Sequence, residues 1–380
     1  MVTAHAKDAA TVVAARFYEL LPVERLNRPV YQHMSIGIGI VGVGMIANFH
    51  ARAIADANGA HLVGCCSRRP ERAREFAQNH DCRSYDSLEL MLVDPEIQAI
   101  SICSPSGTHL DPALASAAAG KHLVVEKPLE ITTERCDQII AACDDAGVRL
   151  AVTFQSRFYQ SSQLLKKAME DKRFGTVTMG DAYVKWFRSQ EYYDSGAWRG
   201  TWDIDGGGAL MNQAIHCVDL LLWLMGDVAQ VSAMTSTMTH QRIEVEDVAV
   251  ATLKFKSGAL GVIEATTTAF PGALKRIEIC GSNGSAILEE EDIKQWEFAD
   301  ETAADKTIRE SVETLTDTGG GASDPAAIGH HGHTALFEEF VDAINEQRPS
   351  ALDGHEGRKS VELIRAIYES AASGKTVTLA

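Results

Sequence analysis

The chain has 380 residues, more than one compact core usually serves, which points to two domains. Lys and Arg number 35 against 52 Asp and Glu, a formal net charge of −17 that no basic run offsets. So acidic a surface repels phosphate backbones and anionic lipid, which argues against nucleic acid and membrane as partners; a small anionic cofactor held by local backbone donors stays open.

Eight cysteines, at 65, 66, 82, 103, 136, 143, 217 and 280, form no CxxC pair and read as reduced thiols. No apolar stretch reaches the roughly 18–20 residues of a membrane span. The N-terminus lacks a basic start followed by an apolar core, so a cytoplasmic protein is expected. Residues 1–34 carry no motif and read as an extension, the fold beginning near Met34.

From Ser35 the pattern becomes regular. Ser35–Val41 reads as a buried strand, Ile46–Ala57 as a helix, His61–Cys66 as a strand and Pro70–Asn79 as a helix opened by proline. Strands at Ala99–Cys103, His122–Glu126 and Arg149–Phe154 alternate with helices at Pro112–Ala119 and Thr133–Ala146. Near-continuous apolar strands between helices predict a parallel sheet covered on both faces, over residues 35–157. Beyond Arg157 a helix at Ser162–Lys172 precedes period-two stretches at 176–187, 231–239, 248–255, 259–268 and 276–280. Their short turns predict a mostly antiparallel sheet. A helix is expected over Ala209–Met225, a polar loop over 301–329, and two closing helices at His333–Glu346 and Gly357–Ser373.

The first strand runs into Gly42-Val-Gly44-Met45-Ile46-Ala47, a G-x-G-x-x-A at a strand–turn–helix junction, the context a dinucleotide fingerprint requires. Gly42 suits the tight turn, Gly44 lets a pyrophosphate approach the backbone, and the N–H groups of the helix start, with Met45 and Ile46, hold the phosphates. Where an acidic residue would accept the ribose 2′-OH, the second strand ends in Ser67-Arg68-Arg69. Guanidinium forks match a 2′-phosphate, so NADP(H) is favoured slightly over NAD(H), unless these arginines only start the next helix in solvent.

Ser104-Pro-Ser106-Gly-Thr-His109, then Ala119-Gly-Lys-His122 through Val125-Glu126-Lys127-Pro128-Leu129, resembles the glucose–fructose oxidoreductase/inositol dehydrogenase/rhizopine-catabolism (Gfo/Idh/MocA) family. Gly206-Gly-Gly208 leading to Asn212-Gln-Ala-Ile-His216-Cys-Val-Asp219 is similar to that family's second-domain signature, and the resemblance covers roughly residues 35–380. It implies an N-terminal Rossmann doubly wound parallel sheet and a C-terminal α/β domain (158–380). The large, mostly antiparallel open-faced sheet of that second domain would join copies into a homodimer or homotetramer. It further implies an NAD(P)-dependent oxidoreductase acting on a secondary alcohol of a sugar or cyclitol. Relatives that hydrolyse glycosides through transient oxidation, and non-catalytic nucleotide sensors, share the fold.

The resemblance assigns roles that chemistry supports. Lys127, after a parallel strand, would hydrogen-bond the reacting oxygen and stabilise alkoxide character, with Glu126 orienting it. His216, which titrates near neutrality, would take or return the hydroxyl proton. Asn212 departs from the family's frequent aspartate: an amide cannot act as a base, but it bonds a polyol and shifts proton transfer onto His216. Ser104, Ser106 and His109 are assigned to the cofactor and Arg157 to the substrate. In Glu191–Trp202, Trp198 and Arg199 either stack on a sugar and pair with its acid or phosphate, or the tryptophans Trp198 and Trp202 pack the domain joint. That string is similar to family members acting on nucleotide-linked or acidic sugars. His330-His331-Gly-His333 reads as the end of a lid-like loop with His333 near the pocket, and no metal is expected.

Overall fold

The computed structural model describes residues 35–311, 320–323 and 329–379; the expected extension over 1–34 and parts of the expected loop at 312–319 and 324–328 lie outside them. The first sheet comprises β1 (Ile36–Val41), β2 (Ala60–Cys66), β3 (Arg83–Tyr85), β4 (Ala99–Ile102), β5 (His122–Val125) and β6 (Leu150–Val152). Helices α1 (Met45–Asp56), α2 (Pro70–Asn79), α3 (Leu88–Leu92), α4 (Leu110–Ala118) and α5 (Thr133–Ala146) connect them. All six strands pair in parallel in the order β3-β2-β1-β4-β5-β6. Every residue of β4 and β6 is buried, as a sheet packed on both faces demands. The order reverses between β1 and β4, so the loops after those strands part and leave a crevice at their carboxyl ends.

The second unit opens with the turn Gln155–Phe158 and contains α6 (Gln160–Glu170), β7 (Val177–Lys185), α7 (Gln190–Asp194), α8 (Ile215–Met225), β8 (Val228–Ser236), β9 (Val248–Phe255) and β10 (Leu260–Thr266). It continues through β11 (Arg276–Gly281), β12 (Gly284–Glu289), β13 (Asp292–Phe298), α9 (Ala303–Ser311), α10 (His331–Asn345), α11 (Gly354–Ser373) and β14 (Val377–Thr378). The eight strands run β13-β12-β11-β7-β10-β9-β8-β14, antiparallel throughout except for the parallel β7–β10 pair. Along β9, Ala249, Ala251, Leu253 and Phe255 are buried while Val250 between them is exposed. This is the alternation of a sheet with one packed and one open face. Met179, Val250 and Leu260 are exposed apolar side chains on this sheet.

Residues 303–311 form α9 where a loop is expected from the polar composition. Its anchor is largely polar: buried Asp305 accepts hydrogen bonds from Arg173, from Trp296 Nε1 at 2.7 Å and from the Thr302 backbone at 2.7 Å, and Ile308 three residues on is buried. The chain's end then returns to the first unit. α10 packs on α1, while α11 packs on α5, β6, α8 and β8. No helix among the described residues is long and apolar enough to cross a membrane.

Candidate functional site

A cavity of about 910 Å³ runs from the carboxyl ends of β1, β2 and β4 into the second unit. Its first wall is the turn after β1. Gly42 sits at φ +87°, and a side chain there would press on the Ser104 backbone nitrogen at 2.9 Å, so only glycine fits. A Cβ at Gly44, in contrast, would meet nothing within 4 Å: the space above the start of α1 is open. α1 has no side-chain cap and no acidic residue in its first turn, which leaves its orphan N–H groups free for an anion. Met45, Ile46, Ser67, Arg68, Arg69, Ser104 and Ser106 line the same space. Arg68 and Arg69 are exposed. The free N–H groups and the two guanidiniums give this wall the positive potential that suits an anionic ligand.

Farther in, Lys127, Asn212 and His216 meet on one wall. Lys127 leaves the end of β5 and donates its Nζ to the backbone carbonyl of Asn212 at 2.7 Å. Asn212 lies in a turn of π-helix, Ala209–Ala214, that leads into α8. Such widened turns recur at functional sites. The preceding Gly208 is obligatory, since a side chain would overlap the Glu246 carbonyl at 1.8 Å. Glu246 in turn accepts hydrogen bonds from the backbone N–H of Gly208 at 3.0 Å and of Leu210 at 2.8 Å, fixing the start of the turn.

Burial lowers the pKa of Lys127, Glu126 and Asp205 oppose that, and Arg199 and Arg188 add to it; the net shift is downward. Burial and the Lys127 charge hold His216 well below its usual range, so its ring is neutral at physiological pH. Its Nδ1 has no hydrogen-bond partner among the described residues, and Phe154 meets the ring edge-on at 5.9 Å. Glu126 is buried; its Oε2 accepts the Lys127 backbone N–H and its Oε1 bonds His50 Nε2 at 2.7 Å. Burial alone would raise this carboxyl, but the His50 contact outweighs it and brings it to about 2. Buried His333, in the first turn of α10, also lines the cavity, and burial beside His50 lowers it to about 3. His50, Glu126 and His333 have ligand atoms within 4.8 Å of one another. His50 spends both ring nitrogens on Ser101 and Glu126, an arrangement of hydrogen bonds that a metal would have to break.

Several wall residues carry no motif that a sequence reading could have used. Arg188 is buried and held by neutral acceptors: Gln213 Oε1 at 3.0 Å and the carbonyls of Phe187, Gly321 and Ala322. Arg199 donates to the Tyr192 hydroxyl and stacks over the rings of Tyr192 and Trp198, at 4.2 and 4.5 Å from their centroids. Lys275 also lines the cavity, paired with Glu290. Trp198 is on the wall, whereas Trp202 lies outside it, against Tyr368.

Two expected site residues are not on the wall. Arg157 is buried in a two-pronged ion pair with Asp219, at 2.8 and 2.6 Å, with a third bond to Glu356 at 2.9 Å; Gln155, Ser156 and Tyr159 around it face the cavity instead. Asp219 is thereby spent on Arg157. His109 is buried behind the wall, its ring nitrogens on the carbonyls of Pro128 at 3.0 Å and Ser104 at 2.9 Å, where it supports both loops.

An oxidoreductase family with an NAD-binding Rossmann fold matches residues 36–154, and the GFO/IDH/MocA C-terminal domain matches residues 162–287. A WlbA dehydrogenase from Bordetella pertussis, whose crystal structure holds NADH and UDP-GlcNAcA, is 37% identical, with a TM-score of 0.84 over 93% of this chain and 99% of that one. Levoglucosan dehydrogenase from Pseudarthrobacter phenanthrenivorans is 29% identical over 89% of this chain and 96% of its own. Myo-inositol 2-dehydrogenase from Thermotoga maritima is 29% identical over 90% and 98%.

The placement of Arg157 makes it a residue of stability. Arg157→Met should strand a buried Asp219 carboxylate and cost about 3–5 kcal/mol, read as a large fall in Tm at neutral pH, while NADH affinity of the folded fraction stays near that of the parent. An unchanged Tm would return Arg157 to the list of substrate contacts.

Proposed function

From the premise that the chain belongs to the Gfo/Idh/MocA family and is an NAD(P)-dependent sugar or polyol oxidoreductase, we propose that it moves a hydride between nicotinamide and a secondary alcohol or ketone carbon of a sugar, with Lys127 and His216 at the reacting oxygen. The observation that carries this reading is the meeting of Lys127, Asn212 and His216 on the wall of a cavity that continues into an uncapped helix start. The cofactor would lie along Gly42–Ile46, Ser67–Arg69, Ser104 and Ser106, and when bound it supplies or accepts the hydride. In the oxidative direction neutral His216 takes the hydroxyl proton, and the Lys127 ammonium donates a hydrogen bond to the oxygen as it gains alkoxide character. In reduction the same groups return the proton. Asn212 holds a neighbouring hydroxyl and carries no proton itself.

The substrate is an acidic or nucleotide-linked sugar. Arg188 and Arg199 face the cavity with no carboxylate of the described residues paired to either, in a chain whose net charge is −17. A buried guanidinium at Arg188 and a partly buried one at Arg199, neither ion-paired among the described residues, suit a ligand that brings its own anion. The UDP-GlcNAcA held by the Bordetella relative supports the same reading. The exposed Met179, Val250 and Leu260 on the large sheet support association of copies through that face.

Lys127→Ala should lower turnover by orders of magnitude in nicotinamide absorbance assays and leave dinucleotide affinity nearly unchanged; normal turnover would remove Lys127 from the chemistry. Arg199→Met should raise KM for an acidic sugar about 10–100-fold, the worth of a charged hydrogen bond, and barely affect a neutral one. An equal effect on both would dismiss the anion subsite. Replacing Arg68 and Arg69 together by Ala should shrink the NADPH-induced rise in Tm far more than the NADH-induced one. Equal losses would mean that neither arginine reads a 2′-phosphate.

A further inference from the structure

Asn212 lacks the charge that an aspartate would place beside Lys127, yet a carboxylate stands directly behind it. Asp205, which precedes the three glycines and is 1% exposed, accepts a hydrogen bond from Asn212 Nδ2 on one oxygen and from the Gly200 backbone N–H at 2.8 Å on the other. An Asn amide can be turned either way. Here the bond to a carboxylate, which only accepts, decides it: Nδ2 points to Asp205, and Oδ1 points to Gln213 Nε2 and, at 3.5 Å, the Tyr192 hydroxyl. The same Asp205 ties the segment that carries Trp198 and Arg199 to the turn that carries Asn212. Next to it, the Ile204 carbonyl accepts the Gly107 N–H at 2.7 Å, which seats this joint on the first unit.

We propose that Asp205 is a positioning residue for hydride transfer: it fixes the Asn212 amide and supplies from behind it the negative charge that keeps Lys127 an ammonium. This rests on the reading of Lys127 as the donor to the reacting oxygen. The groups that face Lys127 are Glu126, Asp205, Arg199, Arg188 and His216. Glu126 is already engaged by His50, and both arginines push the ammonium toward losing its proton. Asp205 is the second anion that opposes them, and the one that also holds the Asn212 amide. Burial raises its own carboxyl to about 6 against the bonds from Asn212 and Gly200 and the charges of Arg199 and Lys127, so it is ionised above neutral pH.

The test separates charge from placement with two variants of the full chain, using nicotinamide absorbance with a turned-over sugar and NADH fluorescence for cofactor affinity. Asp205→Asn removes the charge at constant size. Its kcat should fall about tenfold or more at neutral pH, and the alkaline limb of the kcat profile should move about one pH unit lower, the scale of an opposite charge lost nearby. NADH affinity should hold within about twofold. Asp205→Glu keeps the charge but displaces the oxygens: kcat should fall while the alkaline limb stays at the parental pH. A limb that does not move in Asp205→Asn, or that moves equally in both variants, would overturn the proposal. If Asp205→Asn loses its cooperative melt, Asp205→Glu decides alone, with parental kcat or a displaced limb as the contrary result. Lys127→Ala, run alongside, keeps the two readings apart: full activity there sinks the donor role itself, whereas an inactive Lys127→Ala with an unaffected Asp205→Asn sinks only the inference about Asp205.

Discussion

The hydrogen bond from Lys127 Nζ to the Asn212 backbone carbonyl crosses the joint between the two sheets, and the rest of the site is arranged around it. One partner hangs from the end of a parallel strand, the other from a widened helical turn 85 residues later. A main-chain acceptor fixes the ammonium without neutralising it, as a carboxylate would. The lysine therefore stays a donor with protons to spare for a second oxygen. Both supports are backbone-level devices. On one side the Glu126 carboxylate grips the Lys127 N–H; on the other, Glu246 grips the N–H groups of Gly208 and Leu210.

Electrostatics within the cavity run against the protein's overall sign. Lys127, Arg188 and Arg199 bring positive charge to its wall, and the two histidines there are held neutral first of all by burial. For Lys127 burial wins over its anions and the pKa falls; for Glu126 the His50 contact wins over burial and the carboxyl stays charged. The difference is geometric. Glu126 has a 2.7 Å partner, whereas the anions that oppose burial at Lys127 are themselves committed, Glu126 to His50 and Asp205 to Asn212. A neutral base next to a charged donor is the combination a proton-coupled hydride transfer needs.

Much of this was legible in the sequence, and the boundary of legibility has a physical cause. Five of the six strands of the parallel sheet follow from apolar runs such as Ala99–Ile102, and the dinucleotide turn from glycines whose spacing answers to steric limits at Gly42. Lys127, Asn212 and His216 stood inside recognisable motifs. Arg188 and Asp205 did not register, because burial sets their surroundings and the partners of Arg188 lie as far as 134 residues away, which no motif encodes. The resemblance assigned Arg157 to the substrate, but Asp219 and Glu356, 62 and 199 residues away, accept hydrogen bonds from all three of its nitrogens. β3 and α3, at three and five residues, are too short for periodicity to speak.

The end of the chain completes the site that its beginning starts. α10 lies along α1 and delivers His333 to the cavity, its ring 5.4 Å from that of His50 on α1, so the helix whose N-terminus would receive a dinucleotide is packed by residues nearly 300 positions later. α11 wedges between β6 of the first sheet and β8 of the second, and its Tyr368 donates to Glu246, the residue that shapes the turn bearing Asn212. Because these contacts are distant in sequence, the cavity cannot form from either sheet alone: loop closure over most of the chain precedes it. The two sheets are thus parts of one chemical device, with the final helices as the brace that sets the distance between a cofactor cradle and the lysine, amide and histidine that would meet the sugar.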